Sequence, residues 1–241
     1  MADIIEPLGL SVKCKSFRDA GDFEKDASFK DVKQFVKQRD KNACVHCGDV
    51  FEKYQEVHHK DDDHSNNDQD NLLTVCSLCH ACHHIGLAGI HNRGVIAYMP
   101  EVTQEDINRT QKLLMCITRS GFHAFNKLCI KMAPYTVASV NFKEGTVPEM
   151  GDVIADRVRV VEEEYCKGWS NPTILGEALL QCDDEVYSQR SKIVSDLRLI
   201  PVISGYTDQV SYWTQHFSKT IPLKTWESQL EQNMDKVTAV Q

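Results

Sequence analysis

Residues 56–84 of the chain read EVHHKDDDHSNNDQDNLLTVCSLCHACHH. The stretch combines six histidines with three cysteines, namely His58, His59, His64, His80, His83, His84, Cys76, Cys79 and Cys82. Imidazole and thiolate groups are the usual protein ligands of zinc and other transition metals. The stretch therefore predicts a metal site, which could catalyse a reaction or simply stabilise the fold.

A pair of Cys-x-x-Cys motifs carries the first part of this prediction. Cys44 and Cys47 are followed, after 28 intervening residues, by Cys76 and Cys79. A two-residue spacer lets both thiolates of each motif reach one ion, and four thiolates suit tetrahedral zinc. The alternative, four unrelated core cysteines, does not account for two such pairs bracketing one segment. We therefore predict a structural Zn²⁺ site at these four residues.

The other cysteines carry weaker signals. Cys82 extends the second motif to CxxCxxC, so it could replace one ligand or line the site. The remaining ones are isolated and are expected to be small buried apolar residues: Cys14, Cys116, Cys129, Cys166 and Cys182.

Composition limits the class of protein. The chain has 241 residues, 41% of them hydrophobic, which is enough to bury a core. Its net charge of -8 disfavours a protein whose main task is gripping nucleic acid. The N-terminus does not resemble a signal peptide, and no window approaches 18 apolar residues. We therefore expect a cytoplasmic protein without direct membrane insertion, in which CxxC pairs indicate metal rather than disulfides.

The order of motifs resembles that of HNH, or ββα-metal, nucleases. YQEVHH would form a first strand, LLTV a second, and CHACHHIG the start of a helix. The resemblance implies that His59 is a general base, which suits neutral imidazole near pH 7. It also implies that Asn71 fixes the ring of His59 by a hydrogen bond. His58, His80 and His84 would hold a second divalent metal.

Three features argue against a working nuclease. Residues 60–70, KDDDHSNNDQD, carry five Asp and one Lys and would repel a phosphate. The motif lacks a flanking basic cluster, and the long remainder of the chain has no recognisable DNA-reading element. The acidic loop does not match an EF-hand, because Asn66 and Leu72 stand where the glycine and glutamate would be. We expect it to be a solvated hairpin connection.

Hydrophobic periodicity completes the prediction of an α+β fold, with a small HNH-like ββα zinc core followed by a mostly helical C-terminal region. We predict four segments, which are an N-terminal extension (1–27), the zinc-binding core (28–100), a mostly helical region (101–218) and a C-terminal tail (219–241). Helices are expected at 28–40, 122–132, 186–199 and 207–217, after Thr103, around 154–165, and after the Asn171-Pro172 break. Strands are expected at 8–12 and 95–99, and a linker at 140–151.

The regions outside the zinc core resemble a second family. GVIAYMPEVTQEDINR (94–109), GWSNPTILGEALL (168–180) and LRLIPVISGYTDQVSYW (197–213) are similar to the DotN/IcmJ family of type IVB (Dot/Icm) secretion and conjugation systems. The resemblance implies an adaptor that binds the C-terminal extension of the hexameric coupling ATPase, with other coupling-complex subunits, at the cytoplasmic face of the bacterial inner membrane. It implies an HNH-like fold with a structural role. That family often loses the HNH positions, whereas this chain keeps all five.

Two functions therefore remain open, and the adaptor is favoured over an enzyme. The alternative is a metal-dependent HNH endonuclease that cleaves DNA. A nucleic-acid-binding module without catalysis is disfavoured by the net charge and by the lack of basic or aromatic stripes. Trp169, Tyr212 and Trp213 could anchor a partner peptide, although core packing is the favoured interpretation.

Overall fold

The computed structural model describes residues 7–12, 27–61, 63, 65–120, 133–142 and 146–220, together with 225, 228 and 230–232. The predicted helix at 122–132 lies outside these residues, as do most of the N-terminal extension and the C-terminal tail. The described residues form helices and three small antiparallel sheets, which confirms the predicted α+β class.

The metal-rich stretch forms a strand–strand–helix unit. Strand β1 (Gln55–His59) pairs antiparallel with β2 (Leu72–Cys76), and β2 runs directly into helix α2 (Ser77–His83). Helix α3 (Ile85–Ile90) follows after one residue. The two strands alternate between faces and both carry buried residues, because helix α1 (Ala27–Arg39) packs over the hairpin. The predicted first helix and both predicted strands of the motif are confirmed.

A second sheet joins parts of the chain that are about one hundred residues apart. Strand β3 (Gly94–Tyr98) pairs antiparallel with β6 (Leu197–Pro201). Helix α4 (Gln104–Ser120) packs beside β6, and the Gln104 side-chain amide bonds both the N–H (2.9 Å) and the carbonyl (2.7 Å) of Leu199. The predicted strand at 95–99 and the helix after Thr103 are confirmed.

The prediction of a linker at 140–151 was wrong. The structure has a hairpin there, with β4 (Val137–Asn141) paired antiparallel to β5 (Thr146–Met150). Pro148 lies within β5, and a strand of a two-stranded sheet tolerates proline because one edge needs no ladder hydrogen bond.

The rest of the described chain is mainly helical. Helix α5 (Asp152–Val160) continues as one π-helical turn at Val161–Tyr165, and α6 (Pro172–Leu180) is capped by the Asn171 side chain. The remaining helices are α7 (Asp184–Ser188), α8 (Arg190–Ile193) and α9 (Thr207–Thr220). The helices predicted near 154–165, after Pro172 and at 207–217 are confirmed, but the single helix predicted at 186–199 is broken into short turns and ends in strand β6.

The main core includes residues from nearly every described segment, from Leu8 to Leu230. Trp213 is 0% exposed and belongs to this core, whereas Tyr212 and Trp169 are half-buried against it. The strand predicted at 8–12 is reduced to a single bridge between Val12 and His84. Among the described residues, no helix combines the length and the apolar character needed to span a membrane.

Candidate metal centres

The four cysteines of the two CxxC motifs come together in the core. Their sulfur atoms all lie within 4.8 Å of one another, and all four residues, Cys44, Cys47, Cys76 and Cys79, are buried. Cys47 Sγ and Cys76 Sγ are 3.6 Å apart. A Zn–S distance of about 2.3 Å places the sulfurs of a tetrahedral site about 3.8 Å apart. The number, chemistry and spacing of these donors therefore fit a metal ion such as zinc.

Tight turns of the backbone bring each pair of sulfurs to one side. In the first motif, Gly48 has a φ of +76° and donates its N–H to the Cys44 carbonyl, at 2.8 Å. This left-handed conformation favours glycine. In the second motif, Cys76 ends β2 and Cys79 lies in the first turn of α2. Hydrogen bonds from Cys44 and Cys47 hold the pKa of Cys76 well below that of an ordinary thiol.

Helix α4 lines the cysteine cluster with hydrogen-bond donors. Asn108 Nδ2 lies 3.4 Å from Cys79 Sγ, Arg109 Nε donates to the Cys47 carbonyl at 2.9 Å, and Lys112 Nζ lies 3.8 Å from Cys76 Sγ. Lys112 also forms an ion pair with Asp49. Burial alone would lower the pKa of Lys112, but the negative charges of Asp49, Cys47 and Cys76 outweigh that effect and raise it. The sequence patterns did not single out these four residues, although the spacing of 108 and 112 on a helix was visible.

The other cysteines in the described part of the chain are not part of this cluster. Cys82 is buried, its thiol donates to the Leu78 carbonyl at 3.4 Å, and burial raises its pKa well above the ordinary value. Cys116 is buried as predicted, and burial raises its pKa to about 12. Cys166 is exposed and Cys182 is half-buried, so the expectation of burial was wrong for Cys166. Cys14 and Cys129 lie outside the described residues.

A second cluster contains three of the predicted histidines. The ring nitrogens of His58, His80 and His84 lie within 4.8 Å of one another. His58 is the fourth residue of the five-residue strand β1, His80 lies in α2, and His84, four residues later, is the C-cap of that helix. Glu56 Oε2 lies 2.5 Å from His80 Nδ1. A carboxylate that accepts the Nδ1 proton leaves Nε2 as the electron-pair donor, which is the arrangement found around histidines that bind metal. These residues could therefore hold a divalent ion.

Two further histidines adjoin this cluster, and sequence reasoning assigned them no role. His46 Nε2 and His83 Nε2 are 3.0 Å apart, and the His83 ring stacks on His58 with centroids 4.0 Å apart. The position of His46 inside the first CxxC motif was the feature of the sequence that could have indicated its place near the metal sites. The pair connects the backbone of the cysteine motif to the histidine cluster. His64 lies outside the described residues.

The two residues expected to be catalytic are arranged differently from the expectation. His59 is 5% exposed, its ring stacks on Phe29, and its Nε2 lies 3.0 Å from Asn67 Oδ1. Asn71 Nδ2 instead donates to Asp61 Oδ1 at 2.8 Å and to the Asn66 carbonyl at 2.9 Å. The side-chain amide within hydrogen-bond distance of the His59 ring is therefore that of Asn67. Asn71 instead forms hydrogen bonds within the acidic loop.

Three carboxylates in the described part of the acidic loop, those of Asp61, Asp63 and Asp68, accept hydrogen bonds from nearby loop residues. Asp63 accepts hydrogen bonds from the Ser65 N–H and hydroxyl, and Asp68 accepts from the Asp70 N–H. Hydrogen bonds from Asn71, then Asn66, lower the pKa of Asp61 from 3.8 to about 2. Nearly all of these residues are exposed, as expected of a solvated hairpin connection.

The fold and its two clusters define a class of protein. It is an α+β protein with a buried cluster of four cysteines, suited to a metal ion, beside a cluster of three histidines.

No family model matches the chain. Among curated proteins, the chain is similar to the type 4 apparatus protein DotN of Legionella pneumophila (strain Philadelphia 1), with 28% identity over 192 residues. The match covers 78% of this chain and 80% of DotN. This confirms the resemblance to the DotN/IcmJ family. The likeness to HNH nucleases stays a prediction.

Proposed function

We propose that this chain is a subunit of a type IVB secretion or conjugation apparatus. Within that apparatus it would act as a zinc-stapled adaptor, binding the C-terminal extension of the coupling ATPase and other coupling-complex subunits. The likeness to DotN, whose name makes it a type 4 apparatus protein, supports the coarse role. The partner, the zinc and a position at the cytoplasmic face of the inner membrane are the further parts of the proposal.

The observation that carries this proposal is the convergence of the three stretches that resemble the family. Residues 94–98 pair with residues 197–201 in one sheet, and the Ile96 N–H donates to the Ser170 carbonyl at 2.9 Å. Stretches that are far apart in sequence thus form one contiguous unit. A binding surface held by such long-range contacts needs little ordering when a partner binds, which lowers the entropic cost of association.

The test is direct binding by the full-length chain. The C-terminal extension of the coupling ATPase is fused to a carrier and mixed with the chain, with a scrambled extension on the same carrier as control. We expect co-elution in size-exclusion chromatography and saturable binding in calorimetry for the native extension only. Separate elution of both fusions would contradict the adaptor function.

A second candidate is a metal-dependent HNH endonuclease, which the convergence of His58, His80 and His84 favours. The burial of His59 under Phe29 and the acidic loop count against it, because a general base must reach a water and a phosphate. The test is nicking of supercoiled plasmid with Mg²⁺, Mn²⁺, Ni²⁺ or Zn²⁺. An endonuclease requires cleavage that His59→Ala abolishes, whereas the adaptor proposal expects no metal-dependent cleavage by either protein.

A further inference from the structure

We propose that Lys112 of α4 is the charge-compensating residue of the cysteine site, so that the metal ties the N-terminal core to α4. The inference rests on the zinc site of the proposed function and adds a positioning residue from the region that follows it in the chain. Asn108, one helical turn earlier on the same face of α4, also contacts the site, through Cys79 Sγ.

The need for a cation follows from the charges. Four thiolates and one divalent ion leave a net charge of about -2, and burying charge without compensation is costly. The four sulfurs are buried, so water contributes little to their solvation. Lys112 is the ammonium that lies against them, 3.8 Å from Cys76 Sγ, with a side chain that is 1% exposed.

Asp49 shares that ammonium with the cysteine sulfurs. Its carboxylate lies 3.2 Å from Cys47 Sγ and forms the ion pair with Lys112. A carboxylate beside a metal-bound thiolate is a repulsive pair, and the ammonium shared by Asp49 and Cys76 offsets that repulsion. Asp49 is partly exposed, at 23%, so water can solvate its outer side.

Aromatic rings hold the lysine in place. Lys112 Nζ lies 5.3 Å from the Phe51 ring centroid and 5.1 Å from that of Trp213. Both rings belong to the main core, and Trp213 comes from α9. A cation between two ring faces is stabilised by their quadrupoles. The metal site, α4 and α9 therefore meet at one buried ammonium.

The experiment measures zinc affinity of the full-length chain by competition with a chromophoric chelator. Lys112→Met removes the charge and keeps the length of the side chain, and Gln111→Met is the matched control. Gln111 is buried on the same helix, but its amide donates to the Tyr135 carbonyl. We expect Lys112→Met to weaken zinc binding about 10–100-fold, the usual effect of losing an outer-sphere partner, and Gln111→Met to leave it near wild type.

Cobalt substitution supplies a readout that a purely structural role would not change. A nearby cation stabilises the sulfur lone pairs, so Lys112→Met should shift the thiolate-to-Co²⁺ charge-transfer band to longer wavelength. Equal zinc affinities and equal cobalt spectra for Lys112→Met and Gln111→Met would overturn the inference.

Asp49→Asn separates charge compensation from a simple ion pair and covers the case in which Lys112→Met does not fold. Removing the carboxylate leaves the ammonium to the sulfurs, so zinc affinity should equal or exceed that of wild type. Weaker zinc binding by Asp49→Asn would overturn the inference. A wild-type chain that binds no zinc would instead contradict the zinc site itself, and this inference with it.

Discussion

Hydrogen-bond partners at single residues determine which atoms remain available to a metal or a substrate. Glu56 Oε2 lies 2.5 Å from His80 Nδ1, and a carboxylate that accepts the Nδ1 proton leaves the lone pair of Nε2 for a metal shared with His58 and His84. By contrast, the Nε2 atom of His59 is engaged with Asn67. The same motif thus contains imidazoles prepared for a metal and one imidazole held under a loop.

We predict that Glu56→Gln weakens metal binding at the histidine cluster about 10–100-fold, because a neutral amide is a poorer acceptor for the His80 proton. The measurement is calorimetric titration of Zn²⁺ into a chain whose cysteine site is already loaded. Glu52→Gln, an exposed residue nearby, is the control and should not change the affinity. The same affinity for both variants would show that Glu56 does not orient His80.

Asn71→Ala should raise the pKa of Asp61 from about 2 towards 3.8, because Asn71 is the largest cause of the lowered value. The folded pKa lies below the unfolded one, so ionised Asp61 favours the folded loop above pH 3.8 and loses this effect as the pH falls through about 2. Carboxyl-carbon NMR titration measures the pKa. Asn67→Ala serves as control and should leave it unchanged, and a low value persisting in Asn71→Ala would contradict this account of the loop.

At the scale of elements, packing between α3 and α6 leaves no room for a side chain at Gly89. A Cβ there would lie 2.2 Å from Thr173 Oγ1 and 2.4 Å from the Thr173 backbone nitrogen. The Thr173 hydroxyl also donates to the Gly86 carbonyl, at 3.2 Å. Because the obstruction includes backbone, a rotamer change alone cannot relieve it.

Gly89→Ala should therefore lower the free energy of unfolding by about 1–3 kcal/mol or more, as expected for overpacking. Chemical denaturation measures this change. Gly9→Ala, where an added Cβ would meet nothing within 4 Å, should stay within about 0.5 kcal/mol of wild type. Equal stabilities of the two variants would contradict the close packing of α3 on α6.

Local patterns predicted the elements whose signals are local. Helix α1 and the helices that begin at Gln104, Asp152, Pro172 and Thr207 follow apolar periodicity or capping residues. Strand β6 was missed because its partner β3 lies about one hundred residues earlier, and no local pattern records that pairing. The β4–β5 hairpin was missed because glycine and Pro148 resembled a linker.

At the scale of the whole molecule, the cysteine cluster lies inside the main core rather than at its edge. Cys44, Cys47, Cys76 and Cys79 share that core with Trp213 of α9 and residues of α4. The CxxC spacing predicted these four ligands because a motif is local. The contributions of Asn108, Arg109 and Lys112 depend on how α4 packs, which the sequence alone does not record.

Removal of zinc should therefore destabilise the chain as a unit and not only its N-terminal part. We expect a chelator to lower the Tm by at least about 10 °C. A structural zinc contributes several kcal/mol to folding, and a loss of 1 kcal/mol lowers the Tm of a chain of this size by about 2–4 °C. Circular dichroism and tryptophan fluorescence follow the transition, and re-addition of Zn²⁺ is the control. A melting curve that does not respond to the chelator would contradict the role of the site.

The structural role of the cysteine site is tested most directly by the zinc content per chain. Inductively coupled plasma mass spectrometry measures it for wild type, Cys79→Ser and His80→Ala. We predict a zinc that Cys79→Ser loses and that His80→Ala keeps, and we predict that His80→Ala loses any second metal. A wild-type chain without zinc, or one whose only zinc disappears in His80→Ala, would contradict it.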